Sequence, residues 1–172
     1  MDALFVIMIA IIFSAFFSGM EIAFITANKL RIELDRKQGV FGSGFIKMFS
    51  DNPGQYIATM LIGNNIALVV YGLFFSRLLT PVLTPLFGSD ALVLLVNTII
   101  STGVILLVAE FLPKTIFKIS PNFFLKLLSL PAMMFYYLFY PISKITLAAS
   151  NGVISLMFGK SKRKKDQENL VF

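Results

Sequence analysis

Three long apolar runs, separated by polar and basic stretches, set the pattern of this chain. The first covers about residues 3–28 and holds a single charge, Glu21. The second, about 55–79, is charged only at Arg77 near its end, and the third, about 91–112, only at Glu110. Each is long enough for a helix to cross the hydrocarbon core of a bilayer, which takes roughly 20 residues at a rise of about 1.5 Å each. Between the first two runs lie Lys29, Arg31, Arg36, Lys37 and Lys47. There the order LRIELDRKQG predicts a helix entering water, broken near Gly39 and Gly42. Phe45, Ile46 and Phe49 then form one apolar edge, expected to lie along the membrane surface. Pro53-Gly54 reads as a turn, and TPVLTPLFGSD as a short linker before the third run.

The third run is expected to end at Leu112, before Pro113-Lys114. Residues 122–158 are hydrophobic but interrupted by Lys126, Pro131, Pro141 and Lys144, so no unbroken apolar run of about 20 residues remains. This pattern predicts a broken helix pair at the membrane interface, packed on the bundle with its lysines snorkelling to water. The fold expected is an all-α membrane protein with three transmembrane helices plus a broken juxtamembrane, interfacial helix region. It occupies residues 1–158, and residues 159–172 form a polar, basic tail.

Composition supports a lipid setting. Of 172 residues, 57% are hydrophobic and 14% charged, against about 25% charged in a soluble domain. A core of this size cannot hide that excess. A cleaved signal peptide fits poorly, because the start, Met1-Asp2, is acidic and no small-residue cleavage site follows the apolar run. The net charge of +6 follows from topology and needs no nucleic acid. With three spans, residues 28–54 and everything after 113 share one side, and that side holds every basic residue except Arg77. The positive-inside rule then puts the N-terminus outside and the C-terminus in the cytoplasm of a multi-pass cell-membrane protein.

The chain has no Cys and no His, which excludes thiolate and imidazole chemistry. What remains are oxygen ligands and fixed charges, suited to hard cations such as Mg²⁺. In the first run, Ser14 and Ser18 share a helical face, with Glu21 on nearly the same stripe. They serve either close helix packing or ligation. In the second run, Gly63 precedes the adjacent amides Asn64 and Asn65, which point about 100° apart and need separate partners. Gly63 would loosen the helix there and free a carbonyl. In the third, Glu110 and Lys114 have ion-pair spacing, yet Pro113 cannot donate to the carbonyl of Ala109. That leaves an acceptor oxygen beside an intramembrane acid, a functional signal in itself. Gly103, on the face of Glu110, would admit another helix. No nucleophile–base pair is visible, and an enzyme is not expected.

SAFFSGMEIAF, GNN and E-x-x-P-K, in this order on three successive spans, resemble the transmembrane domain of the CorC/CNNM family of magnesium transporters. The resemblance covers about residues 3–158. It implies a homodimer in the lipid membrane holding Mg²⁺ in an inward-facing cavity, with Ser14 and Ser18, Asn64 and Glu110 as ligands and Na⁺-coupled Mg²⁺ export as the activity. Asn65 is the alternative to Asn64. The chain departs from the family pattern at Met20, where members often carry a further serine. Members also usually continue into cytoplasmic CBS domains, and the closing ENLVF is similar to a protease-site tag, as in an excised membrane domain. Two other functions compete: a non-transporting scaffold or Mg²⁺ sensor with a structural cation, and a passive cation channel.

Overall fold

A computed structural model describes residues 3–40 and 42–158, and the predicted basic tail lies outside the described residues. Among these residues the secondary structure is helical, with no strand. The helices are α1 (Ala3–Thr26), α2 (Lys29–Lys37), α3 (Ser43–Asp51), α4 (Pro53–Phe87), α5 (Asp90–Ile105), α6 (Leu112–Ile119), α7 (Pro121–Leu127), α8 (Ser129–Leu138) and α9 (Tyr140–Phe158). A π-helical segment, Leu106–Phe111, joins α5 to α6 without a break. Three helices, Ala3–Thr26, Pro53–Phe87 and Asp90–Ile119, are long and apolar enough to cross a membrane.

Two boundaries differ from expectation. Residues 80–87 are not a linker: α4 runs through Pro81 and Pro85 and stops at Gly88, whose φ of 60° only glycine adopts cheaply. Each proline removes one backbone hydrogen bond without forcing an end, because φ near −65° is itself helical. Nor does the third apolar helix end at Leu112. The helix continues to Ile119, and Pro113 sits at the opening of α6, where a missing N–H costs least.

α1 and α4 pack antiparallel along most of their length. A smaller apolar cluster joins Ile7 and Ala10 to Tyr71, Ile105 and Ala109. The larger one gathers Phe17, Met20 and Ala23 with Ile32, Ile46, Phe49, Tyr56, Met60, Leu125, Ala132 and Tyr136. Ile46 and Phe49 of α3 are therefore buried in the protein, at 2% and 0% exposure, and do not form a membrane-surface edge. α8 supplies the competing apolar surface, and its Tyr136 stacks near Phe49. Close approach of the spans depends on two glycines. A Cβ on Gly63 would lie 2.5 Å from the ring of Phe17, and one on Gly19 2.7 Å from the ring of Phe117. Gly63 thus lies within a regular helix and serves packing; it does not loosen the backbone. At Gly103 an added Cβ would meet nothing within 4 Å, so among the described residues no helix exploits that gap.

The interrupted region is three helices, α7 to α9, not a pair. Polar contacts fasten it. Lys126 on α7 pairs with Asp35 on α2, and the backbone N–H of Asn28 donates to Asn122 Oδ1 at 3.1 Å. Gln55 Nε2 at the start of α4 donates to Ser143 Oγ and to the carbonyl of Tyr140 (3.2 Å) on α9. Gln55 and Ser143 are both buried.

Candidate metal site between the three spans

The four residues singled out by sequence come from α1, α4 and the π segment, and the fold brings three of them into direct contact with another span. Ser14 Oγ donates to Asn64 Oδ1 at 2.7 Å, tying α1 to α4. One turn along α1, Ser18 Oγ donates to the carbonyl of Ala109 at 2.9 Å, tying α1 to the third span. This is the carbonyl that Pro113 cannot serve within an α-helical ladder, so its acceptor is met from another helix. Ser14, Ser18 and Ala109 are fully buried and Asn64 nearly so, whereas Asn65 is exposed. Of the two adjacent amides, Asn64 is thus the one that meets α1.

Glu110 is placed differently. It adjoins Ala109 and is half-buried, and its carboxylate reaches Lys114 Nζ at 3.7 Å with both side chains partly exposed. This is the ion pair that the i, i+4 spacing allows. The π segment around it shifts the helical register by one residue, a distortion often found at functional sites.

Sequence reasoning left Glu21 as an interfacial charge. In the fold it is half-buried on the stripe of Ser18 and within electrostatic reach of both Lys114 and Glu110. The available signal was the three-residue step from Ser18 to Glu21, which keeps both on one face. Met20 is fully buried in the large apolar cluster, apart from this polar stripe. Tyr56, also buried there, donates from its hydroxyl to the Met20 carbonyl at 3.4 Å.

The donor set is all oxygen: two hydroxyls, an amide, a carbonyl and two acids. No group of three or more His, Cys, Asp or Glu occurs among the described residues. Zn²⁺-type ligation therefore has no basis here, while Mg²⁺ commonly needs only one or two carboxylates and keeps some of its waters.

Comparison with known proteins agrees with this architecture. Residues 5–170 match the family model described as the Cyclin M (CNNM) transmembrane N-terminal domain. The chain is 34% identical over 109 residues to the UPF0053 inner membrane protein YfjD of Escherichia coli (strain K12), an overlap covering 63% of this chain and 24% of that protein. It is 31% identical over 150 residues to the UPF0053 protein MG146 of Mycoplasma genitalium, covering 82% of this chain and 34% of that protein. The matched part is thus about a quarter to a third of the length of these relatives. With three apolar helices able to span a bilayer and a family match over almost its whole length, the chain is a multi-pass membrane domain of the CNNM family.

Proposed function

We propose that this domain carries Mg²⁺ across the membrane, through a site built from Ser14, Ser18, Asn64 and Glu110, with Glu21 as a second acid beside it. The observation that carries the reading is the pairing of buried oxygen groups from all three spans within one turn of α1, with Glu110 following Ala109 in the chain. Its family is generally linked to divalent cation transport, which fits this donor chemistry. Mg²⁺ here is cargo. It would displace the Ser14–Asn64 hydrogen bond and compete with Lys114 for Glu110, taking neutral oxygens and one or two charges in place of part of its hydration shell. Loss of those waters is costly for Mg²⁺, so a site that keeps some of them releases the ion more readily.

Export coupled to Na⁺ entry is the form of transport proposed, with the basic side in the cytoplasm and the N-terminus outside. The working unit is proposed to be a homodimer. Asn65, Ile66, Val69 and Leu73 are exposed along α4, and an amide such as Asn65 facing hydrocarbon is costly unless a partner covers it. Gly72, beside which an added Cβ would meet nothing within 4 Å, leaves room for a second copy.

A second reading has its own support. Ser14–Asn64, Ser18–Ala109 and Glu110–Lys114 are all satisfied pairs, as expected of polar groups that merely hold helices together in a scaffold. Mg²⁺ flux in liposomes of the purified protein, with and without an opposing Na⁺ gradient, decides between the readings. Flux accelerated by the gradient is expected. Flux absent under both conditions rejects transport in favour of the scaffold, and flux indifferent to Na⁺ points to a channel.

A further inference from the structure

A second polar track lies along the contact between α4 and α5, away from the site above. Three features define it. Tyr71, 2% exposed, donates from its hydroxyl to the carbonyl of Ser101 at 3.2 Å. Asn97 Nδ2 donates to Ser76 Oγ at 2.8 Å, and Ser76 Oγ lies 3.5 Å from Thr80 Oγ1, one turn further along α4. Asn97 is 5% exposed, and its Oδ1 is buried without any partner. An amide oxygen left bare in a protein interior is costly, so its persistence calls for an occupant or a use.

The positions step outward along α4. Counting along α4, Tyr71 lies about 10 Å and Ser76 about 18 Å beyond Asn64, at 1.5 Å per residue. The steps are taken away from the helices that carry the basic residues, toward the Gly88 end of α4. Most other residues along α5 are Leu, Val and Ile, many of them exposed to lipid. Interhelical glue alone would explain one satisfied pair. It does not explain an amide with an open acceptor beside the Ser76 and Thr80 hydroxyls, further along α4 than the three-span site. Arg77, the one basic residue in this half, is turned onto the ring of Phe74, with its guanidinium carbon 5.4 Å from the ring centroid.

We propose that the α4–α5 seam through Tyr71, Ser76 and Asn97 is the outward half of the cation's path, and that Asn97 Oδ1 is a ligand for the partly hydrated ion on its way out. This rests on the transport reading above. A hard cation leaving a site of hydroxyls and carboxylates regains water in steps, and neutral oxygens spaced along the seam lower the cost of each step without trapping the ion.

The cysteine-free chain makes the test direct. Asn97→Cys, Ser76→Cys and, as a lipid-facing control, Ile99→Cys (62% exposed in the native chain) are reconstituted as full-length protein. They are treated from the outer side with a cationic, membrane-impermeant methanethiosulfonate during Mg²⁺ transport. The seam variants are expected to react at least about tenfold faster than the control, a barrier difference of about 1.4 kcal/mol. In parallel, Asn97→Leu should keep wild-type Mg²⁺ binding by calorimetry while its flux falls by about tenfold. Unreactive seam cysteines, or wild-type flux in Asn97→Leu, in a protein that does transport, overturn the exit path and leave the transport reading standing. If the unmodified protein shows no flux at all, the transport reading fails, and this one with it.

Discussion

At Glu110 two roles compete for one carboxylate. Its 3.7 Å approach to Lys114 is what a surface ion pair gives, and partly exposed pairs of this kind contribute about 0–1 kcal/mol. If that were its whole role, Glu110→Gln and Lys114→Gln would be equally mild, and neither would touch Mg²⁺ binding. As a ligand it behaves otherwise. Glu110→Gln keeps the size and one oxygen but loses the charge, and should weaken Mg²⁺ binding by about tenfold or more. Lys114→Gln should leave binding intact or tighten it, because a competing cation is removed. Calorimetry on the two folded variants measures the difference, and equal affinities would remove Glu110 from the ligand set. The candidates Ser14, Ser18 and Glu110 were legible in the sequence because polar groups are so sparse in an apolar run. That Asn64 and not Asn65 belongs with them was not, since adjacent residues differ by only about 100° of helical phase and the phase is fixed by packing.

Between elements, the seam of α1 and α4 is set by the fit of Phe17 into the gap at Gly63. Gly63→Ala forces a ring or a backbone to move and should destabilise the fold by about 1–3 kcal/mol. Gly103→Ala, in open space, should cost nothing and could gain slightly in helix propensity. Thermal unfolding in detergent compares them, and equal midpoints would mean that the close approach is not formed. Docking of α9 depends on another contact, the buried set of Gln55, Ser143 and Thr59. Gln55→Leu removes one of the two donors to the Ser143 hydroxyl and to the Tyr140 carbonyl, so hydrogen exchange in α9 should rise while α1 stays protected. Unchanged exchange in α9 would show that apolar contacts alone hold it. Of these elements the pattern located the three apolar helices but ended the second and third too early. Pro81, Pro85 and Pro113 look like breakers in sequence, yet at the opening or close of a long apolar helix the favourable φ and the absence of water keep the chain helical.

For the whole molecule, the distribution of charge predicts a single orientation. Lys37→Cys on α2 and Lys144→Cys on α9 are both exposed sites and should be labelled by an impermeant maleimide only from the cytoplasmic side. Arg77→Cys should be labelled only from the other. Labelling of Lys37→Cys and Lys144→Cys from opposite sides would require a fourth crossing and overturn the three-span arrangement. The same charge asymmetry leaves the outward half of the bundle with Arg77 as its one basic residue, a setting in which a cation meets little repulsion on its way along α4 and α5.

The sequence by itself determined the class and count of the spanning helices, the hard-oxygen character of the site and the family, because each depends on one-dimensional facts: run length, missing His and Cys, and an ordered set of short motifs. Only the tertiary structure decided which amide meets the serines, that Ser18 donates to the carbonyl of Ala109, that Glu21 is half-buried, and that Ile46 and Phe49 lie within the protein and not on lipid. It also decided that an open amide oxygen sits between α4 and α5. Those outcomes depend on helical phase and on which face meets which neighbour, and in a chain so uniformly apolar the pattern carries almost no information about phase.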